Sequence, residues 1–101
     1  YGFAAIYNEK LAGLFEYYLQ HNIMEIGLAL CPDLVGHGYG VQYTLQGIEF
    51  GINYFNYKGS HILLHVDSKN IPAIKVYEKS GFIIQNQSNG EIEMRKYLKK
   101  N

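Results

Sequence analysis

Apolar residues recur along this chain with two periods, and the switch from one to the other marks its elements. Val41, Leu45, Ile48, Ile52 and Phe55 follow in steps of four, three, four and three, the stripe of an amphipathic helix. Ahead of them, Ile23 to Cys31 alternates with the period of a strand. Glu25, Gly27, Ala29 and Cys31 fall on one face and Met24, Ile26, Leu28 and Leu30 on the other. Gly2 to Tyr7 and Leu11 to Gln20 read as two earlier strands, joined by the turn Asn8-Glu9-Lys10, and His21-Asn22 turns the chain into the third.

Beyond the helix, Asn56 to Ser60 is a polar turn. Ile62-Leu63-Leu64-His65-Val66 is a near-continuous apolar run suited to a strand covered on both faces. Asn70 as N-cap, Pro72 in the first turn and Gly81 as a left-handed stop predict a short second helix. Phe82 to Gln87 and Glu91 to Leu98 flank Ser88-Asn89-Gly90, where Asn-Gly signals a hairpin. The predicted order is β-β-β-α-β-α-β-β, an α/β chain with a mixed (α+β) sheet. The strands on either side of the long helix become parallel neighbours through a right-handed crossover.

Between the third strand and the helix lies Gly36-His37-Gly38-Tyr39-Gly40. Such a loop lets several backbone N–H groups turn toward one point, and the first helical turn adds unpaired N–H groups and partial positive charge. That combination suits an anion such as a phosphate, although alternate glycines equally mark a tight structural turn. Two familiar phosphate loops do not fit. No Gly-Lys-Ser/Thr run is present, and a dinucleotide fingerprint started at Gly36 or Gly38 reaches Val41 or Tyr43 where its third glycine belongs.

The stretch Val35-Gly36-His37-Gly38-Tyr39-Gly40, with Pro32 ahead of it, resembles the acetyl-CoA loop Arg/Gln-x-x-Gly-x-Gly/Ala of the GNAT superfamily of N-acetyltransferases. Val35 departs from the pattern by replacing a polar or basic residue. A second motif, Asn70-Ile71-Pro72-Ala73-Ile74-Lys75-Val76-Tyr77-Glu78-Lys79-Ser80-Gly81-Phe82, resembles the family's Asn-x-x-Ala-x-x-(apolar)-Tyr-Glu-Lys-x-Gly-Phe. The match runs from about Gly27 to Phe82.

This resemblance implies a GNAT-like acyl-CoA N-acyltransferase fold, lacking the strand and two helices that usually come first, and a chain that is a fragment or a shortened member. It implies acetyl-CoA as cosubstrate, held at Leu28, Leu30, Val35, Gly36, His37, Gly38, Tyr39, Gly40, Val41, Asn70 and Tyr77. The strands around the helix would splay beyond the glycine loop, and the pantetheine arm would pair with the backbone of Leu28 and Leu30. Tyr77 would be the general acid beside the CoA sulfur. A sheet edge left open by absent N-terminal elements would invite a homodimer.

Acetyl transfer to an amine needs a neutral amine and a proton for the leaving thiolate, hence a base as well as an acid. Glu25, on the strand entering the cofactor gap, is the candidate base and Glu16 its rival, each also readable as a solvated carboxylate. Tyr17 and Tyr18 are candidates for an acceptor pocket. The leading reading is an acetyl-CoA-dependent N-acetyltransferase acting on an unidentified primary amine by direct transfer. Its alternative is a non-catalytic acyl-CoA-binding or sensing domain.

Composition narrows the partners. The 101 residues suit one domain spanning 1–101, and nine basic residues balance nine acidic ones, which gives no field for nucleic acid or an anionic membrane. No apolar run approaches a bilayer span, and a single cysteine, Cys31, suits a reducing, cytoplasmic setting. Ten tyrosines and no tryptophan predict a core with many hydroxyls in need of partners. His61 and His65 are four apart in an expected strand, so they should not share a face as helical ligands do, and no metal site is predicted.

Overall fold

The computed structural model describes residues 1–7 and 9–99. Its elements are β1 (Gly2–Tyr7), β2 (Lys10–Gln20), β3 (Ile23–Leu30), α1 (Gly40–Phe55), β4 (His61–Asp67), α2 (Ile71–Lys79), β5 (Ile83–Ser88) and β6 (Glu91–Tyr97). The predicted order therefore holds throughout. Asn8, in the expected first turn, lies outside the described residues.

The strands form one six-stranded sheet in the order β1-β2-β3-β4-β6-β5. Among the described residues only β3 and β4 pair in parallel. The helix between them supplies the crossover, and the other neighbours are antiparallel. Turn chemistry sets the strand ends. His21 and Asn22 both take positive φ, as do Asn89 and Gly90, the geometry that matches a two-residue hairpin turn to the twist of its strands. Asn56, also left-handed, closes α1.

Residues from both helices, from β2, β3, β4 and β6 and from the turn after α2 share one core, which joins Phe15, Tyr17, Ile26, Ile48, Ile62, Ile74, Phe82 and Met94. Two expectations about faces are corrected here. The buried side of α1 is Tyr43, Thr44, Gly47, Ile48 and Gly51, while Leu45 of the apolar stripe is 41% exposed. The reason is steric. A methyl group at Gly47 would stand 2.7 Å from the Phe15 ring, and one at Gly51 would run into the Tyr17 ring. The helix approaches the sheet along its glycines, which a stripe counted from large apolar residues does not reveal.

Strand β4 is the second correction. Ile62, Leu64 and Val66 are buried, but Leu63 is half-buried and His65 exposed, so the run is covered on one face. Both helices contribute to the core on that covered face. The opposite face carries Leu14, Glu16 and Tyr18 of β2, Glu25 of β3, His65 of β4 and Glu93 of β6.

Candidate active site

The parallel pair β3–β4 is short. Met24 pairs with Ile62 and Glu25 with Leu63, and beyond these the two strands no longer pair although β3 continues to Leu30 and β4 to Asp67. At the paired end one tyrosine ties them together. The Met24 N–H donates to the Tyr57 hydroxyl at 3.2 Å, and that hydroxyl donates to the His61 carbonyl at 2.6 Å. The strands are thus held at one end and open at the other.

Backbone parity shows what the opening presents. The Cys31 N–H donates to the Ala12 carbonyl on β2 at 2.7 Å. In an antiparallel pair, alternate residues turn their N–H and C=O groups to opposite sides. Leu28 and Leu30, out of phase with Cys31, therefore aim theirs away from β2 and into the gap. Backbone groups left unpaired at a strand edge are ready partners for any extended chain that brings its own amides.

The glycine loop lies at the open end, after a single 3₁₀ turn at Pro32–Leu34. Gly36 and Gly38 have φ of +83° and +80°, which side chains other than glycine rarely adopt, and nothing lies within 4 Å of where a Cβ would stand. Val35, His37 and Tyr39 are exposed. The first helical hydrogen bond of α1 runs from the Tyr43 N–H to the Tyr39 carbonyl, and no side chain caps the helix. Gly40, Val41 and Gln42 therefore begin the helix with N–H groups that have no earlier turn to bond, beside a loop surface with free space around it. Such a set can hold an anion without a lysine.

Helix α2 brings the second motif to the same place. A Cβ on Gly40 would stand 3.0 Å from Val76 Cγ2. Tyr77, next in sequence, is half-buried against Phe82, with ring centroids 6.0 Å apart. Among the described residues its hydroxyl has no hydrogen-bond partner, and burial raises its pKa above the ordinary phenol value, which keeps it protonated. Asn70 caps the helix by accepting from the Ala73 N–H at 3.3 Å, which accounts for it structurally.

Glu25 stands at the last paired position of β3, on the exposed face, so it flanks the point where the gap begins. Its Oε2 lies 3.2 Å from His65 Nδ1. Glu16, the rival base, accepts instead from the Tyr18 hydroxyl at 2.7 Å. Tyr18 is opposite Glu25 in the β2–β3 register and shares its face. Tyr17 does not belong to this surface. It is fully buried under α1, where its hydroxyl donates to the Gly47 carbonyl at 2.6 Å and burial pushes its pKa up to about 12.

Three contributors escaped the sequence reading. Tyr57 ties β3 to β4. Tyr43 sets its hydroxyl 2.9 Å from the Ala29 carbonyl and 3.0 Å from that of Leu14, between β2 and β3. In the sequence the spacing of His65 from His61 bears only on metal ligation. His65 does share a face with His61, as residues an even number apart on a strand must, but the strand rise of about 3.3 Å per residue separates them by four steps. Among the described residues no three of His, Cys, Asp and Glu converge in a way that could hold a metal ion, and no helix is long and apolar enough to cross a membrane. A cleft of about 470 Å³ between β1 and the first half of α1 reaches Leu30 and Tyr39, but neither Glu25 nor Tyr77 lines it.

Comparison with known proteins places this geometry in a family. The sequence profile of the acetyltransferase (GNAT) family matches residues 1–82. A search among curated proteins finds no match. Among solved structures, a variant of the spermidine N-acetyltransferase SpeG from Vibrio cholerae is 23% identical with a TM-score of 0.79, over 95% of this chain and 64% of that one. Campylobacter jejuni N-acetyltransferase PseH in complex with acetyl coenzyme A is 21% identical with a TM-score of 0.80, over 99% of this chain and 67% of that one. PaiA N-acetyltransferase from Thermoplasma acidophilum in complex with coenzyme A is 21% identical with a TM-score of 0.78, over 96% of this chain and 60% of that one. The chain thus spans about two thirds of the length of these structures or somewhat less. With a profile match over four fifths of its residues and the splayed mixed sheet, the chain belongs to the GNAT acetyltransferase family.

Proposed function

We propose that the domain is an acetyl-CoA-dependent N-acetyltransferase that passes an acetyl group directly to a primary amine. The observation that carries this reading is the gap itself. Strands β3 and β4 part immediately after Glu25 and Leu63, beside a glycine loop with open space around Gly36 and Gly38. Bound acetyl-CoA would supply the activated thioester.

The residues present fit that cosubstrate. The loop from Gly36 to Gly40, with Val41 in the first turn of α1, would hold the pyrophosphate by backbone N–H groups, whereas the Val35 N–H is already given to the Pro32 carbonyl at 3.2 Å and would border the site without donating. The outward backbone of Leu28 and Leu30 would pair with the amides of the pantetheine arm. Tyr77, kept protonated by burial, would give its proton to the departing thiolate. Glu25, at the mouth of the gap, would take a proton from the acceptor ammonium. Asn70 would act through its cap, by fixing where α2 begins. A metabolite of this kind suits the cytoplasm, where the single free thiol of Cys31 would also stay reduced.

Exposed Val35 supports a second reading, an acyl-CoA-binding or sensing domain without turnover, because it leaves the loop no polar side chain at that position. The test between them is release of free thiol from acetyl-CoA in the presence of a panel of primary amines. Amine-dependent release supports the enzyme. Binding of acetyl-CoA with no release for any amine supports the sensor.

A further inference from the structure

Across the mouth of the gap, on the exposed face of the sheet, three strands contribute one connected set of side chains. His65 lies on β4 two residues beyond Leu63, past the point where β3 and β4 stop pairing, yet its ring reaches back so that Nδ1 is 3.2 Å from Glu25 Oε2. Its other nitrogen, Nε2, is 3.8 Å from Oε1 of Glu93, the residue directly opposite on β6. The second oxygen of Glu93 accepts from Arg95 Nε and lies 2.9 Å from Nη2, so Arg95 fixes that carboxylate and leaves Oε1 for the imidazole. From β2, Tyr18 stands opposite Glu25, with its own hydroxyl turned to Glu16. The titratable and charged groups around His65 are thus Glu25, Glu93 and Arg95, with the pair Asp67 and Glu91 next along the same face and Tyr18 and Glu16 behind Glu25.

We infer that His65 is a positioning residue for amine deprotonation: it orients the Glu25 carboxylate at the mouth of the gap and relieves it of the proton taken from the acceptor. This rests on the acetyltransferase reading. A carboxylate that accepts a proton at each turnover must lose it before the next, and imidazole is the side chain suited to exchanging protons near neutrality. The balance is simple. The acceptor ammonium gives one proton to Glu25, and neutral His65 takes it on Nδ1. The resulting imidazolium, flanked by the carboxylates of Glu25 and Glu93, gives a proton to water. No electrons move, and only N–H and O–H bonds are exchanged. His65 is about one-third exposed, so the final transfer has solvent at hand.

The geometry also explains why a histidine, and not another hydrogen-bonding side chain, would be needed. A glutamine could hold Glu25 but could not carry the proton onward. His65→Gln therefore separates holding from relaying. With an alkylamine acceptor, which is mostly ammonium at neutral pH, the substitution is expected to lower kcat about 10–100-fold, less than the about 10²–10⁴ of a group that takes the proton directly. With an arylamine or hydrazide acceptor, already neutral, the loss should shrink toward none. The loss on the alkylamine should also diminish as pH rises and the free amine accumulates.

The experiment measures kcat and KM for both acceptor types across pH, in the unsubstituted chain and His65→Gln, with the unfolding midpoint of each as a control. A kcat loss confined to the protonated acceptor, with the KM for acetyl-CoA unchanged, supports the inference. Equal loss on both acceptors, or none on either, overturns it while leaving the acetyltransferase reading intact. No turnover by the unsubstituted chain with any amine overturns the parent reading and this inference with it.

Discussion

Gly40 and Val76 meet so closely that a methyl group on the glycine would stand 3.0 and 3.1 Å from the two valine methyls. One belongs to the glycine loop and the other to the motif that carries Tyr77. Two stretches recognised separately along the chain are therefore one contact in space, and α1 and α2 are set by it. Gly40→Ala should push the helices apart by a few tenths of an ångström and weaken acetyl-CoA binding while changing stability by only about 1 kcal/mol, since alanine offsets part of the crowding by its helix propensity. Adding Val76→Ala should restore much of the affinity. A double-mutant cycle on the dissociation constant checks this, and additive losses would show that the two residues act independently.

Deeper along α1, Gly47 and Gly51 allow the helix to lie against Phe15 and Tyr17. Alanine at either position brings a Cβ inside the contact distance of a buried ring, and overpacking of that kind costs typically about 1–3 kcal/mol, more than the helix-propensity gain of about 1 kcal/mol. Denaturant unfolding of Gly47→Ala and Gly51→Ala should show net destabilisation in both. A stabilised Gly51→Ala would mean that α1 sits farther from the sheet.

Alkaline pH should find the buried tyrosines. Burial pushes the Tyr17 and Tyr43 hydroxyls up to about 12, above the ordinary value of 10.0. Between those pH values the unfolded chain releases protons that the folded one retains, so stability is fully present below pH 10.0 and falls as pH rises toward 12. Unfolding free energies measured across that window should decline, with a smaller slope in Tyr17→Phe or Tyr43→Phe. An unchanged slope in both variants would contradict the assignment.

Tyr77→Phe removes one oxygen that has no hydrogen-bond partner among the described residues, so the fold should tolerate it well. If the hydroxyl is the acid, turnover should fall about 10²–10⁴-fold while acetyl-CoA binding stays within a few-fold. Thiol release and calorimetric titration on the same sample test both halves. Unchanged turnover would remove Tyr77 from the mechanism.

Much of this architecture was legible because local chemistry dictated it. Asn70, Pro72 and Gly81 fixed α2, Asn89-Gly90 fixed the last hairpin, and the alternation from Ile23 to Cys31 fixed which side of β3 faces the core. What was not legible depends on register between strands distant in sequence. His65 reaches Glu25 only because β3 and β4 pair at Glu25 and Leu63. Tyr57 ties Met24 to His61 for the same reason. The buried face of α1 departs from the apolar stripe at Leu45 because glycines, which add nothing to an apolar count, set its closest approach. Tyr17 and Tyr18 looked alike in the sequence, but the pleat sends one into the core and the other to the exposed face.

Thermal unfolding with and without acetyl-CoA shows whether the splayed strands and the glycine loop form an acetyl-CoA site. Ligand at about 100 times its dissociation constant adds about 2.7 kcal/mol, which in a domain of this size raises the midpoint by about 10–20 °C. That shift is expected for the unsubstituted chain, and a much smaller one when Gly38, at φ +80°, is replaced by valine. A cooperatively folded sample whose midpoint does not move with acetyl-CoA would contradict an acetyl-CoA site there.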